Sequence, residues 1–176
     1  PLDRIRTLLK ELPSNRTALD KLSPKENSLW YLAKAYQYAH PDRRLILLFD
    51  QFEELFSYPK AQIQEFKEQL AELVRGQLPD RYDELLDIAA DREEAPLTEE
   101  EEEQLYSPLN VRINFSIRSD RMHLLDQLSD YLPNVLLNNL ELKALKEEDA
   151  VKALVFPAKM PDDFDAKSFS YTDGTT

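Results

Sequence analysis

Within "RRLILLFDQFEELF", residues 43–56, five apolar residues from Leu45 to Phe49 run straight into Asp50, and two more acids, Glu53 and Glu54, follow three residues on. A run this short and this uniformly apolar reads as a strand buried on both faces of a parallel sheet. In open α/β sheets ligands bind at the carboxyl ends of the strands, and Asp50 falls at such an end. A carboxylate there has two jobs open to it: holding a Mg²⁺ ion that in turn holds nucleotide phosphates, or capping the helix that follows. If the strand turns directly into a helix, Glu53 lies on the first turn, on the same side as Asp50. There it can polarise an attacking water or simply complement the helix dipole. Glu54 points elsewhere and reads as half of a structural ion pair.

These residues act together only if the rest of the chain supplies a sheet and its helices. "PLDRIRTLLKEL" puts Leu2, Ile5, Leu8, Leu9 and Leu12 on one helical face. "SPKE", residues 23–26, reads as a capping box with Pro24 at the first helical position. The helix it starts runs through "NSLWYLAKAYQYA", with Trp30, Tyr36 and Tyr38 in the core or at its edge, and stops at His40-Pro41-Asp42. After Asp50, Phe52, Leu55 and Phe56 recur at helical spacing. Ile63, Phe66, Leu70, Leu73 and Val74 then mark an amphipathic helix that Gly76 and Pro79 end. "NVRINFSIRSDR" alternates Val111, Ile113, Phe115 and Ile117, a second strand ending at Ser116-Ile117-Arg118. "MHLLDQLSDYL" is a helix reaching Pro133, Leu140 to Leu142 a short third strand, and "KEEDAVKALVF" a last helix closed by Pro157. The order is helices, strand, helix, insert, strand, helix, strand, helix. That is an α/β chain whose strands lie parallel through right-handed crossovers.

Composition narrows the functions. At 176 residues the chain can bury one substantial core. No run of eighteen apolar residues offers a membrane span, and no basic-then-apolar signal segment opens the sequence. Pro1 in place of an initiator Met reads as a cut inside a longer protein. Cysteine is absent, which removes disulfides and thiolate metal sites and suits a cytoplasmic protein. His40 and His123, both expected at the surface, are too few for a His-based metal site. The net charge of −12 is concentrated: residues 80–103 carry twelve acids against Arg81 and Arg92, a net −10. A nucleic-acid footprint is therefore missing. The acidic segment reads as a solvated, mobile insert of two short helices, the second begun by a Thr98–Glu101 capping box and the whole placed away from the strand ends.

Three blocks in order, "LILLFDQFEELF", "VRINFSIRSDRMHLLDQLSDYLP" and "LELKALKEEDAVKALVFPA", resemble the STAND class of signalling P-loop NTPases, most closely the novel STAND branch of bacterial conflict and signalling proteins. The resemblance covers nearly the whole chain. It implies a partial P-loop NTPase sheet flanked by helices over residues 1–158, with an acidic, mostly helical insert at 80–107 and a tail or truncated continuation at 159–176. It implies Asp50 as the Walker B aspartate on Mg²⁺, Glu53 as the catalytic acid, and Arg118 as the sensor that reads the γ-phosphate. A guanidinium suits that task because it stays charged and grips phosphate oxygens as a fork. The plain alternative for Arg118 is an ion pair with Asp120 or Asp50.

One feature of that family is missing. No G-x-x-x-x-G-K-[ST] occurs; the two glycines, Gly76 and Gly174, precede neither Lys-Ser nor Lys-Thr. The phosphate cradle is built from such a loop, and in this class it comes before the region corresponding to Pro1. The chain is thus expected to hold the Mg²⁺ and sensor half of an ATP site and to bind ATP weakly alone. Its implied partners are ATP, other domains of the same polypeptide and a possible second copy in a homo-oligomer, with neither nucleic acid nor membrane. A strand between Leu140–Leu142 and the Arg118 strand would be absent, leaving open sheet edges that invite self-association. The competing reading is a non-catalytic interaction domain presenting an acidic helical surface to a basic partner.

Overall fold

Ser28 begins the most deeply buried element. Its side chain accepts from the Tyr31 N–H, and the helix it caps, α3 (Leu29–Ala39), is apolar on nearly every face. Leu29, Trp30, Tyr31, Leu32, Ala33 and Ala35 are all buried, as a helix hydrophobic all round must be. The computed structural model describes residues 1–91 and 96–158. These divide into two units, Pro1–Asn138 and Asn139–Thr176. The tail read as loop from residue 159 onward lies outside the described residues.

In the first unit, α1 (Leu2–Glu11) and α2 (Thr17–Leu22) precede α3. Strand β1 (Leu45–Phe49) leads through a 3-10 helix (Phe52–Ser57) to α4 (Lys60–Arg75). The acidic segment forms α5 (Asp80–Asp91) and α6 (Glu99–Tyr106), β2 (Val111–Phe115) follows, and a second 3-10 helix spans Ser119–Leu128. The second unit holds α7 (Glu147–Ala158), which runs one residue past Pro157. The chain is therefore mixed α/β: mostly helices, with a two-stranded parallel sheet.

Several expectations are corrected. Ser23 starts no helix and instead ends α2, its N–H donating to the Leu19 carbonyl at 2.9 Å; Lys25 takes a left-handed φ of 68°, and Glu26 is claimed by Ser28, Arg81 and Tyr82, so the N-cap moves to Ser28. The amphipathic faces hold except at their margins, where Leu8 and Val74 are exposed. The Leu45–Phe49 strand exists, but it is not buried on both faces. Leu45, Leu47 and Phe49 face the core, whereas Ile46 and Leu48 are 58% and 73% exposed, because the helices of the first unit cover one side of the sheet only. Leu140 to Leu142 form no strand. They lie in an irregular stretch, 85% and 88% exposed at Leu140 and Leu142. A strand needs a neighbour for its backbone groups, and the described residues of the second unit contain none.

The acidic insert is not a loose excursion. Its two helices and the Thr98–Glu101 capping box form as expected, but Tyr82 and Leu105 are completely buried in the core. The Tyr82 ring packs on Trp30 at 4.9 Å. Arg81 bridges Glu26 and Glu72 at 2.9 and 2.7 Å, and Lys21 binds Glu101 at 2.7 Å. Lys21 is thus a basic partner that the rest of the chain supplies to the insert. The insert rejoins the sheet at its amino ends, where Leu45 N–H donates to the Asn110 carbonyl at 3.0 Å. That is opposite the end from which Asp50 departs.

Candidate functional site

The two strands pair in parallel from Leu45↔Val111 to Phe49↔Phe115. Beyond the last pair, Ser116 N–H donates to the Phe49 carbonyl at 2.7 Å and Phe52 N–H to the Ser116 carbonyl at 2.9 Å. These two bonds hold the chains together at the point where Asp50 leaves the sheet. Gln51 then adopts a left-handed conformation, φ 50° and ψ 47°. Its N–H donates to Asp50 Oδ1 at 3.0 Å, and the chain turns into the 3-10 helix. Phe52 and Leu55 point inward. Phe52 packs at a tilt against Phe115 at 4.2 Å and edge-on against Phe49 at 5.8 Å, so an aromatic floor fixes the turn that carries the acids.

On that turn, Asp50, Gln51 and Glu53 meet Ser116, Ile117 and Arg118 around an open cavity of about 200 Å³. The three residues singled out by the sequence are thus brought to one place. Glu53 is half-buried and its Oε2 has no hydrogen-bond partner. A shielded carboxylate oxygen without a donor is costly. Arg118 reaches the rim but its guanidinium is engaged outside. Nε and Nη2 each lie 3.1 Å from the Asp120 carboxylate, and the pair is largely exposed. Of the two ion-pair partners open to Arg118, Asp120 is the one it takes. Glu54 is exposed and enters no ion pair among the described residues, against expectation.

Asp50 is exposed, so its oxygens can be reached from solvent. No group of three or more potential metal ligands occurs among the described residues. Mg²⁺ does not need one: it keeps several waters and is typically held by one or two carboxylates plus phosphate oxygens. The cavity is smaller than the roughly 300–1,000 Å³ of a drug-sized pocket. It suits a phosphate group and a hydrated ion, not a whole nucleotide. Gly76 (φ 66°) builds no cradle, since it terminates α4 against the backbone of Leu109; Gly174 lies outside the described residues.

Two features escaped the sequence reading. Gln51 and Ser116 line the cavity through backbone geometry that no local pattern signals. Lys34 is buried on the same helix as Trp30, 5.9 Å from the Trp30 ring, and donates to the Ser107 carbonyl and to Ser107 Oγ at 3.1 Å. Burial lowers its pKa to about 8. A lysine inside "WYLAKAYQYA" looks like the polar face of an amphipathic helix, and only the packing of α6 shows otherwise.

No helix among the described residues is long and apolar enough to cross a membrane. Comparison of the chain with protein-family models, curated proteins and solved structures gave no match.

Proposed function

We propose that the cavity at the carboxyl ends of β1 and β2 is the Mg²⁺ and γ-phosphate half of an ATP site, and that the chain is part of a cytoplasmic signalling ATPase of the STAND type. The observation that carries this reading is the meeting of Asp50, Glu53 and Arg118 around one cavity at the carboxyl ends of the two strands. Asp50 would hold the hydrated ion. Glu53 would orient and deprotonate the attacking water. Arg118, released from Asp120, would bind the transferring phosphoryl oxygens. The bound metal supplies charge neutralisation between the phosphates. The residue blocks quoted above support the family reading.

The cradle for the remaining phosphates is not in this chain, so calorimetric titration with ATP and Mg²⁺ should give no dissociation constant in the low micromolar range. In a complete protein that supplies the cradle, Asp50→Asn should abolish Mg²⁺-dependent turnover. Glu53→Gln should retain nucleotide while hydrolysis slows by about 100-fold or more. Parent-level turnover by both variants would refute the assignment. The second reading, a non-catalytic module with an acidic interaction face, draws on the exposed Glu99, Glu100, Glu102 and Glu103 of α6. A complete protein that binds no nucleotide would favour it.

A further inference from the structure

Arg118 is not a free cation at the cavity it lines. Its fork is already matched: Nε lies 3.1 Å from Asp120 Oδ1 and Nη2 3.1 Å from Oδ2, the two-point geometry in which guanidinium and carboxylate pair best. A second guanidinium shares that carboxylate. Arg121 Nε is 3.7 Å from the same Oδ2, too far for a hydrogen bond but near enough to be the next partner. The backbone keeps the three groups together. Arg118 immediately precedes the 3-10 helix Ser119–Leu128, and its carbonyl accepts from the Arg121 N–H at 2.9 Å. Asp50 and Glu53, which line the same cavity, have no cationic partner among the described residues. The cavity thus presents two carboxylates and an arginine whose charge is already matched, a combination that repels phosphate.

We infer that Asp120 regulates this site as a positioning residue: it holds Arg118 until a metal-bound phosphoryl group arrives, and Arg121 then replaces Arg118 as its counter-ion. The inference rests on the phosphate-site reading above. Mg²⁺ on Asp50 offsets the negative charge of the cavity, and the incoming phosphoryl oxygens offer Arg118 the same two-point match that Asp120 gives it. The exchange leaves no carboxylate bare, since Arg121 closes on Asp120. The side chains of Arg118, Asp120 and Arg121 are 68%, 56% and 54% exposed. Ion pairs this open are weak, so the hold on Arg118 changes phosphate affinity by about fivefold at most. It sets a threshold for phosphate binding and does not forbid it.

Methyl phosphate, a soluble stand-in for a terminal phosphoryl group, tests the inference on the whole chain in excess Mg²⁺. Its affinity is read from the shifts of the arginine Nε–H signals in nitrogen-15 NMR spectra. Asp120→Asn should tighten binding about 3–5-fold, and Arg121→Gln should weaken it about 2–3-fold. In the Asp120→Asn background Arg121→Gln should have no effect, because no carboxylate is left for Arg121 to take over. A charge acting only through its long-range field would weaken binding equally in both backgrounds, and that result overturns the exchange. So does an affinity unchanged by Asp120→Asn while Arg118→Gln abolishes binding; the site reading then stands without its regulator. Methyl phosphate bound by no variant up to about 50 mM, or bound alike by the parent and Arg118→Gln, overturns the site reading and the exchange with it. The substituted side chains are all exposed, and circular dichroism spectra matching the parent's show that each variant folds.

Discussion

The Tyr82 hydroxyl donates to Glu26 Oε2 at 2.6 Å, joining α5 of the acidic insert to the loop that leads into α3. Arg81 binds the other oxygen of the same carboxylate at 2.9 Å, and Ser28 Oγ donates to it at 2.6 Å. The surrounding donors outweigh burial and hold the Glu26 carboxyl below its usual pKa range. Burial and the facing Glu26 push the Tyr82 hydroxyl far above its own.

Truncating this contact should be severe. Tyr82→Ala removes a fully buried ring packed on Trp30, and loss of a large aromatic from a core costs about 3–5 kcal/mol. Tyr82→Phe keeps the ring but withdraws one donor from Glu26, at a cost of about 1–3 kcal/mol. Replacing residues 80–103 with a Gly/Ser linker should unfold the first unit, because Tyr82 would be lost and Leu105 no longer held in register. Urea denaturation measures all three. A linker variant that melts cooperatively at the parent midpoint would show that the insert is dispensable after all.

Lys34 sets a pH dependence. Its pKa is lowered from 10.5 to about 8 by burial, so between those values the unfolded chain binds more protons than the folded one. Stability must then rise with pH through that window. Below about pH 8 both states are charged and the folded state carries the whole penalty. Above pH 10 the raised pKa values of Tyr31, Tyr38 and Tyr82 work the other way, since these groups stay protonated only when folded. Denaturation midpoints between about pH 8 and 10 should therefore climb in the parent chain. In Lys34→Met they should climb measurably less. Equal slopes would mean that the amine reaches solvent.

Glu53→Gln should leave stability unchanged or raise it slightly. Glu53 Oε2 has no protein partner, so neutralising the carboxylate loses no hydrogen bond at that atom and relieves desolvation of a charge. A melting-temperature drop equivalent to more than about 1 kcal/mol would reveal a structural role and weaken its place in a reactive site. That readout needs no nucleotide.

Two backbone positions with positive φ should respond unequally. Gln51 holds φ 50° at the turn after Asp50, a region that costs a non-glycine residue about 1 kcal/mol. Gln51→Gly should offset that strain against the greater freedom of glycine when unfolded, leaving stability within about 1 kcal/mol of the parent. At Gly76 (φ 66°) a new Cβ would meet the Leu109 backbone at 3.4 Å. Gly76→Ala should cost about 1–2 kcal/mol. Paired thermal melts decide; a stabilised Gly76→Ala would contradict the strain argument.

What the sequence determined by itself is local. The apolar run Leu45–Phe49 and the alternation at Val111–Phe115 made strands, and Gly76 ended α4 with a left-handed φ. The Thr98–Glu101 box capped α6. Each rests on groups a few residues apart, whose geometry follows from backbone sterics and short-range hydrogen bonds. Tertiary structure decided which of several chemically eligible partners each side chain found. Glu26 left a capping box at Ser23 for Arg81 and Tyr82, more than fifty residues away. Lys34 met the end of α6, more than seventy residues away. An acidic segment that composition marks as solvated was anchored by Tyr82 and Leu105. A five-residue apolar strand shows that it will be buried somewhere; only the arrangement of helices shows that Ile46 and Leu48 remain on an open face. Burial and partner choice are sums over distant residues, and no local pattern contains them.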